Sequence, residues 1–448
     1  MEETNLQAEK YRKMTETPVE RLVCRMAVPT IVSMLVTALY NMVDTWYVGF
    51  LNTQATAAIG ICFSFMAIIQ AVGFFFGHGS GNAISRLLGQ RKTEEASRMA
   101  ATGFFSALIG GGLLTAAGFV FLTPLSRVLG AIDSVLPYTQ DYLGTILLGA
   151  PYMTAAFVLN NQLRLQGNAF FSMIGIASGA VLNTILDPLF IFVLGLEVKG
   201  AALATILSQL ISFILLLLGC GKGGSLRMNP RHFSPSFARY REIFGGGLPS
   251  LCRQGLASFA TICLNQSVGV YGDSAIAAFS IVTRITNFAS SALLGFGQGF
   301  QPVCGFNYGA KLYHRVKKAF WFCVKLSTVV LTALAVLGYL FAPELVALFR
   351  KGDELLIEIG AQTLRYQCLS LPFVGLVILS NMLLQNIRAT VKASVLSIAR
   401  QGMFFLPLLF LLHALLGLPG IQLAQPAADI ATFLLAVPFC RSVLNGMK

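Results

Sequence analysis

Between Arg25 and Arg86 the chain carries one charged side chain, Asp44, in the stretch YNMVDTWYVG at 40–49. A membrane helix needs about 20 apolar residues at ~1.5 Å each, so this interval is long enough to cross a bilayer twice. Apolar segments of span length recur twelve times, near 26–50, 57–80, 99–122, 141–163, 169–194, 200–221, 246–271, 275–300, 319–342, 361–386, 393–417 and 420–440. With 55% hydrophobic and 11% charged residues and a mean hydropathy of +0.71, the 448-residue chain lies outside the soluble range. The fold class this predicts is an all-α polytopic membrane protein of twelve transmembrane helices.

The formal net charge of +13 is unevenly distributed. With twelve spans, Lys and Arg crowd the tail and the loops at 86–98, Arg164, 222–241, 311–318, Arg388 and Lys392, all on the side of the termini. The opposite loops hold only Arg127, Lys199, Arg350 and Lys351. This bias predicts a multi-pass protein of the cytoplasmic (plasma) membrane with both termini in the cytoplasm. No basic stretch interleaved with aromatics indicates a nucleic-acid partner. The polar segment 1–23 has no short apolar core followed by a cleavage site, so it reads as a retained tail. Nine cysteines without C-x-x-C spacing read as small core residues rather than disulfides or metal ligands.

The chain also contains itself twice. At an offset of 220, Pro29 falls on Pro249, Val48-Gly49 on Val268-Gly269, Phe76 on Phe296, and Gly77, Gly79 and Gly89 on Gly297, Gly299 and Gly309. An offset of 221 brings Asn160 onto Asn381, and one of 219 brings Pro188 onto Pro407. Each repeat has an even number of spans, so the halves enter the membrane in the same sense, related by an axis along its normal. The expected organisation is a tail (1–23), an N-lobe (24–221), a linker (222–244), a C-lobe (245–441) and a short tail (442–448). Two such bundles leave a central cleft, the place where a secondary transporter binds its substrate. No P-loop, H-E-x-x-H pair or G-x-S-x-G elbow occurs in the sequence, and nothing in it suggests an enzyme or a cofactor.

Each half serves as a reference for the other. Asp44 falls on Leu264 and Asp187 on Leu406, so the N-lobe has two intramembrane acids where the C-lobe has leucine. An acid at the centre of a membrane helix costs about 2.5–3.5 kcal/mol on insertion, and it marks a functional site by default. Asn183 precedes Asp187 by one turn, and Pro188 follows it, freeing a carbonyl where the helix can bend. Asn160 and Thr205 could complete a polar pocket in the same lobe. Burial favours the neutral form of a carboxylic acid, as a group that takes up and releases a coupling proton requires; the same oxygens suit Na⁺, with Asp44, Asn183 and Asp187 as ligands. The C-lobe has the opposite bias: Arg253, Arg284, Lys325, Arg365 and Arg400 against one acid, Asp429. Of Arg253, Arg284 and Arg400, one could pair with Asp429 or across the cleft with an N-lobe aspartate; otherwise they offer guanidinium forks to an anionic or zwitterionic group.

Four motifs carry a family resemblance: NMVDTWYVGF at 41–50, LRLQGN at 163–168, NTILDPLF at 183–190 and GFGQGFQPVCGFNYGA at 295–310. From about Pro29 to Pro438 the chain resembles the multidrug and toxic compound extrusion (MATE) family, in its bacterial branch of small multidrug exporters. The resemblance implies a V-shaped pair of six-helix bundles, acting as a monomer, that exports small organic, often cationic, compounds in exchange for H⁺ or Na⁺. It also implies a cation site at Asp44, Asn160, Asn183, Asp187 and Thr205. Candidate cleft residues are Arg253, Arg284, Gln298, Arg400 and Asp429. A C-lobe cation site built on carboxylates of the seventh and tenth spans, known in some members, has no counterpart here, because 246–271 and 361–386 contain no acid. The alternatives are a flippase or exporter for an anionic, zwitterionic or lipid-linked metabolite, and a receptor or scaffold in which the aspartates are structural.

Overall fold

The computed structural model describes residues 2–222, 226–349 and 353–447; Arg350, Lys351 and Lys448 lie outside them. Every regular element among the described residues is helical. A first helix, α1 (Glu2–Glu16), precedes twelve long ones. The N-lobe comprises α2 (Val19–Val48), α3 (Thr53–Gly89), α4 (Thr93–Val120), α5 (Leu136–Leu165), α6 (Ala169–Val193) and α7 (Glu197–Gly219). The C-lobe comprises α8 (Phe237–Gly269), α9 (Asp273–Gly309), α10 (Tyr313–Leu340), α11 (Glu354–Asn386), α12 (Thr390–Leu416) and α13 (Leu418–Gly446).

Local chemistry sets several of these ends. Asn52 caps α3 by accepting the Ala55 N–H at 2.7 Å, and Asp353 caps α11 by accepting that of Leu356 at 3.0 Å. Eleven of the long helices are apolar enough to span a membrane by composition alone. The twelfth, α8, is not, because it carries Arg239, Arg241 and Glu242 at its start and Arg253 and Gln254 halfway along. It lies on the seam between the lobes, where those polar groups find partners or face the cleft. The expected boundaries shift accordingly: residues 19–23 already belong to α2, and 237–244 to α8.

The sequence repeat is also a repeat of structure. Helices α3 and α4 recur as α9 and α10 at an offset of 220 at both ends. So does the left-handed backbone after α3, at Arg91 (φ 61°), and after α9, at Lys311 (φ 60°). A pseudo-two-fold axis follows from the seam itself. A Cβ on Gly89 would collide with the Phe306 carbonyl, and one on Gly309 with the Arg86 carbonyl, the same contact with the lobes exchanged. Glycine is required at both positions because the two helix backbones touch there.

The contacts that join the lobes gather toward the end that carries the termini. Thr30 donates to Gly295 O at 2.6 Å, and Arg86 pairs with Glu242 at 2.8 Å. Glu242 also holds Arg388 at 2.6 Å, while Arg86 donates to Asn386 O at 2.8 Å. Helix α1 crosses the same seam. Its Tyr11 ring lies under the Arg91 guanidinium at 4.3 Å, Met14 is buried, and the Met14 and Thr17 carbonyls accept from Asn307 (3.1 Å) and Arg315 (2.5 Å). Near mid-membrane Gln254 donates to Gln70 at 2.9 Å. The two bundles are thus tied together at the terminal end.

Candidate functional site

Asp44 lies one turn from the end of α2, and Asp187 lies on α6 just before Pro188. Both point into the N-lobe, 5% and 0% exposed. Their carboxyl groups are close enough to interact with each other. Two carboxylates make such a contact only with a proton or a cation between them. Asn183, one turn earlier on α6, donates to Asp187 Oδ1 at 3.3 Å. That leaves Asp187 Oδ2 and Asn183 Oδ1 buried with no hydrogen-bond donor among the described residues. A buried orphan acceptor is costly, and two of them beside a carboxyl pair fit a bound cation. The remaining oxygens agree in type: the Tyr40 hydroxyl, one turn before Asp44, lies near both acids and Thr205 of α7, and Tyr142 of α5 lies buried near both acids. An all-oxygen set of two acids and neutral groups suits H⁺ or Na⁺.

Helix α6 is irregular at this site. Pro188 offers no N–H, and the next turn, Leu189–Val193, is a π-helix with Leu194 N bonded to Leu189 O at 2.9 Å. A π-turn of this kind is a frequent companion of functional residues.

Of the five expected members, the structure brings Asp44, Asn183 and Asp187 together, while the Thr205 hydroxyl, near Tyr40, donates to Ala201 O at 3.0 Å. Asn160 is elsewhere engaged: its amide donates to Ser172 O at 3.1 Å and Ser172 Oγ at 2.6 Å, tying α5 to α6. In the C-lobe, the equivalents of the two acids, Leu264 and Leu406, pack against an apolar core with Phe405, Leu409 and Ile421.

The cleft candidates divide in the same way. Arg400 pairs with Asp429 at 2.8 Å, and Asp429 also accepts from Gln425 at 2.9 Å and Ser370 at 3.4 Å. Arg253 is half-buried and Arg284 exposed; neither has an ion-pair or hydrogen-bond partner among the described residues. Gln298 lies in the floor, its amide 3.8 Å from Met34 Sδ and its carbonyl accepting from Arg164 at 3.0 Å.

Arg164 was read as a loop cation, and the structure corrects this. It occupies the last turn of α5, 1% exposed, and crosses the seam to Gln301 Oε1 at 2.6 Å while holding Asn161 Oδ1 at 2.6 Å within its own lobe. His78 Nε2 lies 3.4 Å from it. A sequence signal was available: at an offset of 221 Arg164 falls on Gln385, a break in symmetry as marked as that of the aspartates.

Comparison with known proteins places this geometry. The MatE family model matches twice, over residues 29–189 and 249–411, once per lobe. The multidrug export protein MepA of Staphylococcus haemolyticus is 28% identical over 437 residues, covering 96% of this chain and 95% of MepA. A crystal structure of a MATE protein in complex with MaL6 superposes with a TM-score of 0.92 at 25% identity, over 98% of both chains. A transporter of the MOP superfamily from Pyrococcus furiosus, described as having a binding pocket of reversed polarity that suggests a different function, superposes with a TM-score of 0.90 at 26% identity over 98% of both chains.

Proposed function

Because the chain belongs to the MatE family, we propose that it is a secondary active exporter of small organic compounds, driven by H⁺ or Na⁺ entering at Asp44 and Asp187. The observation that carries the coupling is the buried carboxyl pair with two acceptor oxygens that lack donors among the described residues. An ion that fills the pair ties α2 to α6 beside the π-turn. Loading and release of that ion then biases the conformation of a helix that also lines the seam, where Thr30 of α2 meets Gly295. Binding at one place and motion at another are thus linked through a single element, which is what coupling requires.

The membrane is the cytoplasmic membrane, with the termini and α1 inside, so the end at which the lobe contacts gather is the cytoplasmic one. The monomer is the working unit, since the two lobes of one chain supply both the cleft and the seam. Export of several drugs, as the name of the MepA relative states for that protein, is the activity expected here. Cationic compounds are the first substrates to test.

A second reading, export of anionic or zwitterionic compounds, is favoured by one observation: the only acid of the C-lobe candidates, Asp429, is already taken by Arg400. The experiment is uptake of a fluorescent cationic dye into inverted vesicles under an imposed pH or Na⁺ gradient. Gradient-dependent accumulation is expected; accumulation indifferent to both gradients would reject secondary active export.

A further inference from the structure

Arg253 is a cation at the seam that has no ion-pair or hydrogen-bond partner among the described residues. On α8 it follows Gly246 by seven residues and Ser250 by three, the spacing that puts all three on one helix face. Gly246 packs on Gly79 of α3, a Cβ there lying 3.0 Å from the Gly79 Cα, and Ser250 lies 3.5 Å from the Gln385 amide oxygen. Arg253 therefore lies on the seam side of α8, beside the Gln254–Gln70 bridge and near His78 and Arg164 of the other lobe. The π-segment Ala399–Phe404, which presents Arg400, packs on the same helix, since a Cβ on Gly402 would lie 3.2 Å from Leu256. Arg253 interacts electrostatically with Arg400 above and Arg164 below.

The three guanidinium groups differ in what they have left to offer. Arg164 spends its donors on Gln298 O, Gln301 and Asn161. Arg400 is held by Asp429, whose remaining capacity goes to Gln425 and Ser370. Of the three, Arg253 alone has no partner for its planar fork among the described residues, and it is half-buried in a membrane-spanning segment, where an uncompensated charge is expensive. A fork with two parallel donors matches one carboxylate.

We propose that Arg253, flanked by Arg400, is an anion subsite of the cleft that receives the carboxylate of an amphipathic organic substrate. The substrate class is then an aromatic or lipophilic compound with a single carboxylate, zwitterionic or anionic, seated on the C-lobe while the coupling ion occupies the N-lobe. This assignment rests on the export reading for its role in transport, though not for binding.

The test uses two dyes that differ by one charge, a rhodamine with a free carboxylate and its ethyl ester, with binding to the purified full-length protein read by fluorescence anisotropy. The wild type is expected to bind the free acid about tenfold more tightly than the ester, as a charge-assisted pair warrants. Arg253→Gln brings that ratio to about one, and Arg253→Lys, which keeps the charge but not the fork, leaves it in between. Equal affinities in the wild type, no binding of the free acid, or a ratio untouched by Arg253→Gln would each overturn the subsite. Should Arg253→Gln fail to fold, judged by elution and melting, the wild-type ratio and Arg253→Lys decide. Wild-type proteoliposomes loaded with either dye judge the export reading separately. Absence of gradient-driven movement of both dyes, with the acid preference intact, rejects export and keeps the subsite; movement of the ester with no acid preference does the reverse.

Discussion

Two acids facing each other at 5% and 0% exposure would repel in the absence of a cation, so the Asp44–Asp187 pair is an arrangement that its own ligand stabilises. Both were legible in the sequence, because the second repeat puts leucine at each position and so removes the scaffold explanation. Asn160 was not separable by that logic. A conserved pattern between the halves, Asn160 on Asn381, is explained by packing: Asn381 donates to Ala393 O at 2.9 Å as Asn160 does to Ser172 O. Asn160→Ala should therefore lower the melting temperature, through a loss of about 1–2 kcal/mol for a buried bond and its orphaned partner, and leave the ion concentration for half-maximal transport where it was. A severalfold rise in that concentration would put Asn160 back in the ion site. Tyr40 escaped notice for a different reason. An aromatic in a membrane helix usually means packing, and only its position one turn before Asp44 hinted that its hydroxyl would lie near both acids and Thr205.

At the scale of helices, the terminal-side seam is held by few groups with large consequences. Glu242 is the hub, bonded to Arg86 of the N-lobe and Arg388 of the C-lobe. Its side chain is 20% exposed, so its pairs are partly shielded from water and salt. Glu242→Gln should weaken closure by about 1–3 kcal/mol, read as longer and broader distances between spin labels at Lys92 and Lys311 in a cysteine-free background. Deleting residues 2–16 should act in the same direction, since α1 ties Arg91 of one lobe to Asn307 of the other. Unchanged distances in both variants would mean that the glycine contacts alone keep the seam shut. The helical nature of 2–16 was not legible, because a polar, charged segment is read as a tail unless something is known of what it docks against. Helix α8 posed the converse difficulty: its polar residues lower its apolar signal, and their reason is the other lobe, which no local window contains.

For the whole molecule, the duplicated fold makes a symmetric machine with asymmetric chemistry. The reciprocal contacts of Gly89 with Phe306 and Gly309 with Arg86 put the pseudo-two-fold axis through the seam, and in the proposed export cycle this shared contact is the pivot of the lobes. Gly89→Ala and Gly309→Ala should then produce the same phenotype, reduced transport with the terminal side held ajar. A large effect from one and none from the other would argue against a shared pivot. The twelve-helix plan and the two lobes were legible because apolar length and internal offset are properties of the chain alone. What could not be read was the depth of Arg164 and the isolation of Arg253, since both depend on how the lobes face each other.

The central claim is that an ion bound between Asp44 and Asp187 drives export. It is tested most directly by gradient-driven dye transport in proteoliposomes at matched protein content, comparing the wild type with Asp44→Asn and Asp187→Asn. The account predicts that each variant still binds dye and exchanges it across the membrane at equilibrium but no longer concentrates it against a gradient. Accumulation at the wild-type level in both variants would contradict it and reduce the pair to a structural contact.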